Sequence, residues 1–493
     1  MKTLNKIKTH FLLNLIFILS ASAQVKLPAI VSSDMVLQRN TTVNLWGWAA
    51  SSEKISIKTS WNEKEIDVTT NNEGVWQMAV ETTDSKEPQT IQIKSKTSSI
   101  LLENILFGEV WLCSGQSNME MKLKGYPGQP IFGSTKAIIH ANNPNLRLFT
   151  VGRTGSKTPL QDFEDNKGWV QSTPETAANF SAVAYFFDHQ LQEILGVPVG
   201  LINTSYGASP VQAWMSKESL NNFQTINLED VDVKDKPNKI PTALFNAMLH
   251  PIIPYKIKGA IWYQGEANRL DPEGYKNLFP AMVKDWRTRW GIGDFPFYYA
   301  QIAPFTYGNN QMVDAPKNSA FIREAQLECV DLIPNSGIAI TTDVGDANFI
   351  HPPQKKEVAN RLLFNALNQT YDIKAVKYAS PTLDSLVIQD NGISLTFKNA
   401  ELGLYSYKTL NDFEIAGEDK VFYPAEAKIE NRRTILVTSE KVTNPVAVRY
   451  GWRNYVDGTL FDASLLPVSS FRTDNWNDAT IAEKQDKVEY PKK

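Results

Sequence analysis

The chain has little cysteine, little histidine and no excess of positive charge. Cys113 and Cys329 are its two cysteines in 493 residues, too few for a disulfide framework or a thiolate-built metal site. Both are expected as buried thiols, and sequence alone does not say whether they meet in one bridge. Lys and Arg number 50 against 53 Asp and Glu, for a formal net charge of -3. With no block of basic residues, this balance excludes an electrostatic footprint for nucleic acid. Beyond the first residues, no apolar run is long enough to span a bilayer.

The one long apolar run lies at the start. Lys2, Lys6 and Lys8 precede the apolar stretch 11–19, and Ala21-Ser22-Ala23 forms a small-residue cleavage site, so residues 1–23 read as a secretory signal. Gln24 follows, where a lipid anchor would need cysteine. The expectation is an exported protein, periplasmic or secreted, without a stable membrane anchor.

Three rhythms follow. Residues 24–105 alternate apolar and polar positions, as in 43–48, 54–58 and 75–80, with the turn signal Asn71-Asn72-Glu73-Gly74; this predicts a β-sandwich. From 106 to 376, short apolar runs at 110–113, 199–202, 260–263, 297–302 and 337–341 alternate with helical segments, the pattern of an α/β domain on a parallel sheet. Met282, Trp286 and Trp290 predict one apolar helix face, and Val183, Phe186, Phe187, Gln190 and Ile194 another. Residues 377–477 return to β patterning, with Asn391-Gly392 as a hairpin turn, and 478–493 form a polar tail.

Gly115-Gln116-Ser117-Asn118-Met119 places a serine on a glycine-initiated turn directly after the apolar run 110–113. A strand that feeds a helix through such a turn presents the hydroxyl at the carboxyl edge of the sheet, where open α/β sheets bind ligands. Met119 stands where a Gly-x-Ser-x-Gly elbow would have its second glycine, so the usual lipase reading is disfavoured. A serine nucleophile needs a base. Among the histidines after the signal, His189 lies within a helix, His250 precedes Pro251 in an apolar segment and His140 follows a helical stretch, all read as structural or exposed. His351 lies in a loop after a strand, with Asp343 and Asp346 nearby and Pro352-Pro353 behind it.

Four ordered blocks then stand out: 115–119, Asn203-Thr204-Ser205-Tyr206-Gly207-Ala208, Trp262-Tyr263-Gln264-Gly265-Glu266-Ala267-Asn268 and Ile350-His351-Pro352. Together they resemble SGNH hydrolases of the sialate O-acetylesterase type. The similarity extends through 241–246, Asp285-Trp286-Arg287, Arg323-Glu324-Ala325-Gln326 and Leu466-Pro467.

The resemblance implies a flavodoxin-like three-layer α/β/α catalytic domain with a parallel sheet and β-sandwich regions at both ends. It implies Ser117 as nucleophile, His351 as base, and Gly207 and Gln264 as oxyanion donors, with no metal and no cofactor. Glu266 is expected to orient its loop or contact substrate. Arg323 is expected to meet a carboxylate such as that of sialic acid, or an acid within the protein. Many relatives carry Asp three residues before the histidine, where this chain has Asn348. The orienter of His351 is therefore expected to be Asp346, alternatively Asp343, or to be absent in a Ser-His dyad. The expected substrate is an O-acetylated sialic acid or other O-acetylated glycan. Acetylated xylan or pectin is the alternative, and a glycan-binding protein with a relic hydrolase domain is the reading from another class. Tyr206, Trp214, Trp262 and Tyr263 are candidates to stack on a sugar or to fill the core.

Overall fold

A strand buried on both faces reads as a continuous apolar run, and residues 105–113, broken by charge only at Glu109, form the centre of the molecule. In the computed structural model, which describes residues 24–62, 64–163, 166, 168–228, 232–307, 318–477 and 480–481, this run belongs to one long strand, β1 (Ser99–Gly115). The expected signal at 1–23 and most of the polar tail lie outside the described residues. Glu109, 2% exposed, accepts from Arg39 Nε at 2.6 Å and Tyr371 Oη at 3.2 Å.

The other strands of the central sheet are β2 (Asn143–Thr150), β3 (Val170–Ser172), β4 (Val199–Ser205), β5 (Gly259–Tyr263), β6 (Phe297–Ala300) and β7 (Ser336–Ala339). Their order is β7-β6-β5-β1-β4-β2-β3. Every neighbouring pair is parallel except β2 and β3. After β1 the chain passes to β2 and β3 on one side, returns to lay β4 between β1 and β2, then crosses to build β5, β6 and β7 outward on the other. The crevice between the ends of β1 and β5 is thus the switch point at which such sheets hold ligands.

Alternation along the strands sends side chains to two cores. Trp111, Cys113, Ile261, Tyr263, Tyr298 and Ala300 pack with residues of α2 (Ala182–Leu195) and α5 (Lys355–Asn365). Val110, Leu112, Ala260, Trp262, Phe297 and Tyr299 pack with α3 (Pro272–Trp290) and α4 (Ser319–Leu332). Met282, Trp286 and Trp290 form the predicted face of α3, each fully buried side chain stabilising by roughly 1.5–3 kcal/mol. On α2 the stripe ends early: Val183, Phe186 and Phe187 are buried, whereas Ile194 is half exposed because it lies in the last turn. Cys113 and Cys329 are free thiols, buried in separate cores.

At the amino end, Thr42–Trp48 pairs with Val75–Glu81, and Lys54–Thr59, Glu65–Thr69 and Gln89–Lys94 form a second sheet that joins the first half of β1. The strand runs unbroken through residue 105, so the N-terminal module and the central sheet share it. At the other end, Thr382–Gln389 and Gly392–Lys398 form the hairpin expected at Asn391-Gly392. With Thr434–Thr438 and Glu426–Asn431 they face a second, mostly antiparallel sheet across a core of Leu395, Phe397, Ile415 and Val448.

Candidate active site

The serine turn follows from packing of β1 against β5. Gly115 has φ +141°, and a Cβ there would come 2.2 Å from Tyr263 O, so only glycine lets the strand end lie against its neighbour. The next N–H, of Gln116, donates to Tyr263 O at 3.0 Å, and Gln116 O accepts from Met119 and Glu120 at 2.9 Å, starting α1 (Ser117–Glu120). Gln116 Oε1 reaches across the switch point to accept from Ala267 N at 3.2 Å. Ser117 is the first helical residue and is partly exposed. Its Oγ has no hydrogen-bond partner among the described residues.

Beneath it lies a buried polar group. Asn118 Nδ2 donates to Glu266 Oε1 at 2.6 Å and to Ile350 O at 3.1 Å, and Asn118 Oδ1 accepts from Lys355 Nζ. The residue after the serine is thereby tied to the residue before His351. Lys355 is 0% exposed, and its ammonium is pulled down to about 7 by burial, with Glu266 opposing. Burial also raises the Glu266 carboxyl above its ordinary value, against its hydrogen bonds and Lys355. Glu266 is thus tied through Asn118 to the residue after the serine.

His351 Nδ1 lies 2.8 Å from Gln129 Oε1. A carboxamide oxygen only accepts, so Nδ1 carries the proton and the neutral ring keeps Nε2 as a base. The Tyr126 ring stands edge-on at 6.0 Å. Burial, and next the charge of Lys355, push the imidazole down to about 4. Here the expected orienter is corrected. Asp346 Oδ1 accepts from Asn348 N at 2.8 Å and Phe349 N at 3.1 Å, closing its own loop, and Asp343 holds Arg361 through two contacts of 2.7 Å. Each carboxylate is taken by donors from its own neighbourhood, and a neutral amide from 222 residues away supports the histidine.

The expected oxyanion donors fare differently. Gly207 adjoins the serine, since a Cβ on it would lie 3.5 Å from Ser117 Cβ, and its N–H donates to Glu120 Oε2 at 2.5 Å. Arg153 Nη1 holds the other oxygen of that carboxylate at 2.8 Å. Gln264, 0% exposed, does not present its amide to the serine: its Nε2 donates to Asn268 Oδ1 at 2.8 Å and Ser209 O at 3.1 Å. Both of its protons are engaged in bracing the loops behind the site.

Arg323 is also corrected. It is fully buried and donates to Ser319 Oγ, Ser470 Oγ and the carbonyls of Gly451, Arg453 and Asn454. It joins α4 to the C-terminal module, has no exposed surface to offer a substrate carboxylate, and forms no ion pair with an acid among the described residues. Trp214, Trp262 and Tyr263 are core residues, and only Tyr206 is partly exposed, under the Arg153 guanidinium. His250 Nδ1 donates to Leu160 O at 2.8 Å, and His189 lies 3.5 Å from Glu193. Among the described residues no cluster of His, Cys, Asp or Glu is arranged to hold a metal ion. No helix there is long and apolar enough to cross a membrane.

Sequence reasoning missed Gln129, Lys355 and Glu120. The pair Lys355-Lys356 reads as a solvated helix start, and nothing in the sequence marks Gln129. Glu120, beside the serine block, was the one within reach of motif reading.

The family profile described as carbohydrate esterase, sialic acid-specific acetylesterase matches residues 107–358. Human sialate O-acetylesterase is 24% identical over 487 residues, covering 88% of this chain and 89% of its own. That of Pongo abelii is 27% identical over 399 residues, covering 73% and 74%. A carbohydrate acetylesterase from Xanthomonas citri superimposes with a TM-score of 0.83 at 32% identity, over 92% of this chain and all of that one.

Proposed function

Because the chain belongs to the carbohydrate esterase family of sialic acid-specific acetylesterases, we propose that it removes O-acetyl groups from sialic acids through an acetyl-Ser117 intermediate. The observation that carries this reading is the joining of two loops by Asn118. The partly exposed Ser117, its Oγ without a partner among the described residues, and His351, its Nδ1 on Gln129, flank the two ends of that link.

In the proposed reaction, His351 Nε2 takes the hydroxyl proton as Ser117 Oγ bonds to the acetyl carbonyl carbon. Charge gathers on the carbonyl oxygen, and the N–H groups of Ser117 and Gly207 receive it. Glu120 must first leave the Gly207 N–H, and Arg153 gives its carboxylate a place to remain paired. The C–O bond to the sugar then breaks and the imidazolium proton passes to the sugar oxygen. Water, deprotonated by the same ring, attacks the acetyl carbonyl carbon, and the ring returns the proton to Ser117 Oγ as the acetyl–Oγ bond breaks and acetate leaves. Gln129 fixes the tautomer throughout, so the chemistry is a Ser-His pair oriented by an amide.

Support for the sialate ester comes from the family and from the names of the mammalian relatives. The Xanthomonas citri neighbour, a carbohydrate acetylesterase by name, supports a second reading with acetylated polysaccharide as substrate. Acetate release from O-acetylated sialic acids, measured beside acetylxylan and acetylated pectin, separates the two. Release from the sialic acids is expected, and activity confined to the polysaccharides overturns the sialate assignment. The three-layer SGNH fold is supported by the two helix pairs flanking the parallel sheet, and export by the composition of residues 1–23.

A further inference from the structure

A lysine with no exposed surface is uncommon, because an ammonium taken out of water must be matched by nearby acceptors or charge. Lys355 is 0% exposed. Among the described residues its ammonium makes one hydrogen bond, to Asn118 Oδ1; its counter-charge is Glu266, and the Tyr263 ring lies 5.6 Å away. It bonds to Asn118 in the turn after β1, lies against Tyr263 at the end of β5 with the charge of Glu266 acting on it from the loop beyond, and starts α5 directly after the loop of His351. Those are the segments that carry Ser117, Glu266 and His351. A lysine retained only for stability would find water at the surface within one helical turn, as the exposed Lys356 does.

We propose that Lys355 is a positioning residue for the esterase chemistry. Its ammonium fixes the Asn118 carboxamide, and that carboxamide holds the serine turn and the main chain before His351 in register. This inference rests on the acetyl-transfer reading of Ser117 and His351.

Two consequences follow. With Oδ1 held by the ammonium, Asn118 Nδ2 is aimed at Glu266 and Ile350 O, so its amide cannot flip without losing every bond. The charge also faces the imidazole. From α1 and the segment after it, His351 meets Tyr126 and Gln129; from its own side it meets Lys355. The Tyr126 hydroxyl faces Glu120 and Arg153, and Glu266 faces Tyr263 and Tyr307. Lys355 is thus the cation that opposes protonation of the base, in addition to burial.

The test compares full-length wild type with Lys355→Met, Lys355→Gln and Lys355→Arg. The readouts are kcat, KM and the acid limb of kcat/KM for acetate release, with fluorophosphonate labelling of Ser117. Lys355→Met is expected to lower kcat by about ten- to hundredfold with KM changed less than about threefold. Its acid limb is expected to rise by about one pH unit. Lys355→Gln, which can still donate to Asn118, is expected to keep more of kcat yet show the same rise, and Lys355→Arg is expected to leave the limb in place. Where Lys355→Met does not fold, the Gln and Arg proteins carry the comparison. A limb that moves in both the Gln and Arg proteins or in neither overturns the inference, as does unchanged kcat in a folded Met protein. A wild type that releases no acetate and leaves Ser117 unlabelled overturns the esterase reading instead.

Discussion

Arg323 and Lys355 are both cations without exposed surface, and they are held in opposite ways. Arg323 has every face of its guanidinium occupied: hydroxyls of Ser319 and Ser470, and carbonyls of Gly451, Arg453 and Asn454. None of these partners is charged, and none belongs to the serine turn. Among the described residues the Lys355 ammonium has one hydrogen bond, with an acid and a histidine acting on it electrostatically. A saturated buried cation is mortar between modules. An undersaturated one, set among groups that must change protonation, is part of a site. Asp188 on α2 completes the series, with neither carboxyl oxygen bonded among the described residues and burial raising its pKa well above the ordinary value.

The comparison breaks if the two cations respond alike. Arg323→Ala should cost at least about 3 kcal/mol of stability, since buried acceptors left without donors cost about 1–3 kcal/mol each. The folded fraction should turn over as wild type does. Chemical denaturation alongside active-site titration checks this, and a stable Arg323→Ala protein with lowered kcat would return Arg323 to the substrate.

Gln129→Ala should lower kcat by about ten- to hundredfold through loss of the His351 tautomer, whereas Asp346→Asn should stay within about twofold. Steady-state kinetics on the two variants distinguishes them. A large loss confined to Asp346→Asn would restore the carboxylate as orienter.

The pH profile gives a smaller but sharper signal. A base whose folded pKa is lowered remains unprotonated further into acid, so kcat/KM should hold on lowering the pH and fall only as it passes about 4. A limb in the ordinary histidine range would mean that neither burial nor Lys355 acts on the ring as described.

The smallest effect belongs to Asp188. Its raised folded pKa means that, above the ordinary carboxylate range, the unfolded chain is ionised while the native chain is not, so native stability falls as pH rises. Asp188→Asn should therefore raise the melting temperature more at about pH 8 than at about pH 4, below which both states are protonated. Equal shifts at both would show that Asp188 is ionised in the native protein.

Much of this molecule was legible because its signals are local. The apolar runs at 110–113 and 260–263 located the two central strands, Gly115 marked the turn, and Asn391-Gly392 marked a hairpin. The serine and histidine were named by residue type and by their place after strands. What failed was partnership. Asp346 is five residues from His351 in sequence, yet nearer backbone N–H groups claim it; Gln129 has no sequence mark and supplies the acceptor. Gln264 was placed correctly at a strand end, but its side chain is engaged behind the loop. Arg323 was expected to meet a carboxylate, of substrate or of the protein, and only the fold shows that a second module closes over it with hydroxyls and carbonyls.

The central claim is covalent, and it is tested most directly by trapping. Wild-type protein mixed with an O-acetylated sialic acid and quenched in acid within the first turnovers is predicted to carry an acetyl group on the peptide containing Ser117, read by mass spectrometry. Ser117→Ala should show none. Acetate release without any acetyl adduct on that peptide, or undiminished release by Ser117→Ala, would contradict the account.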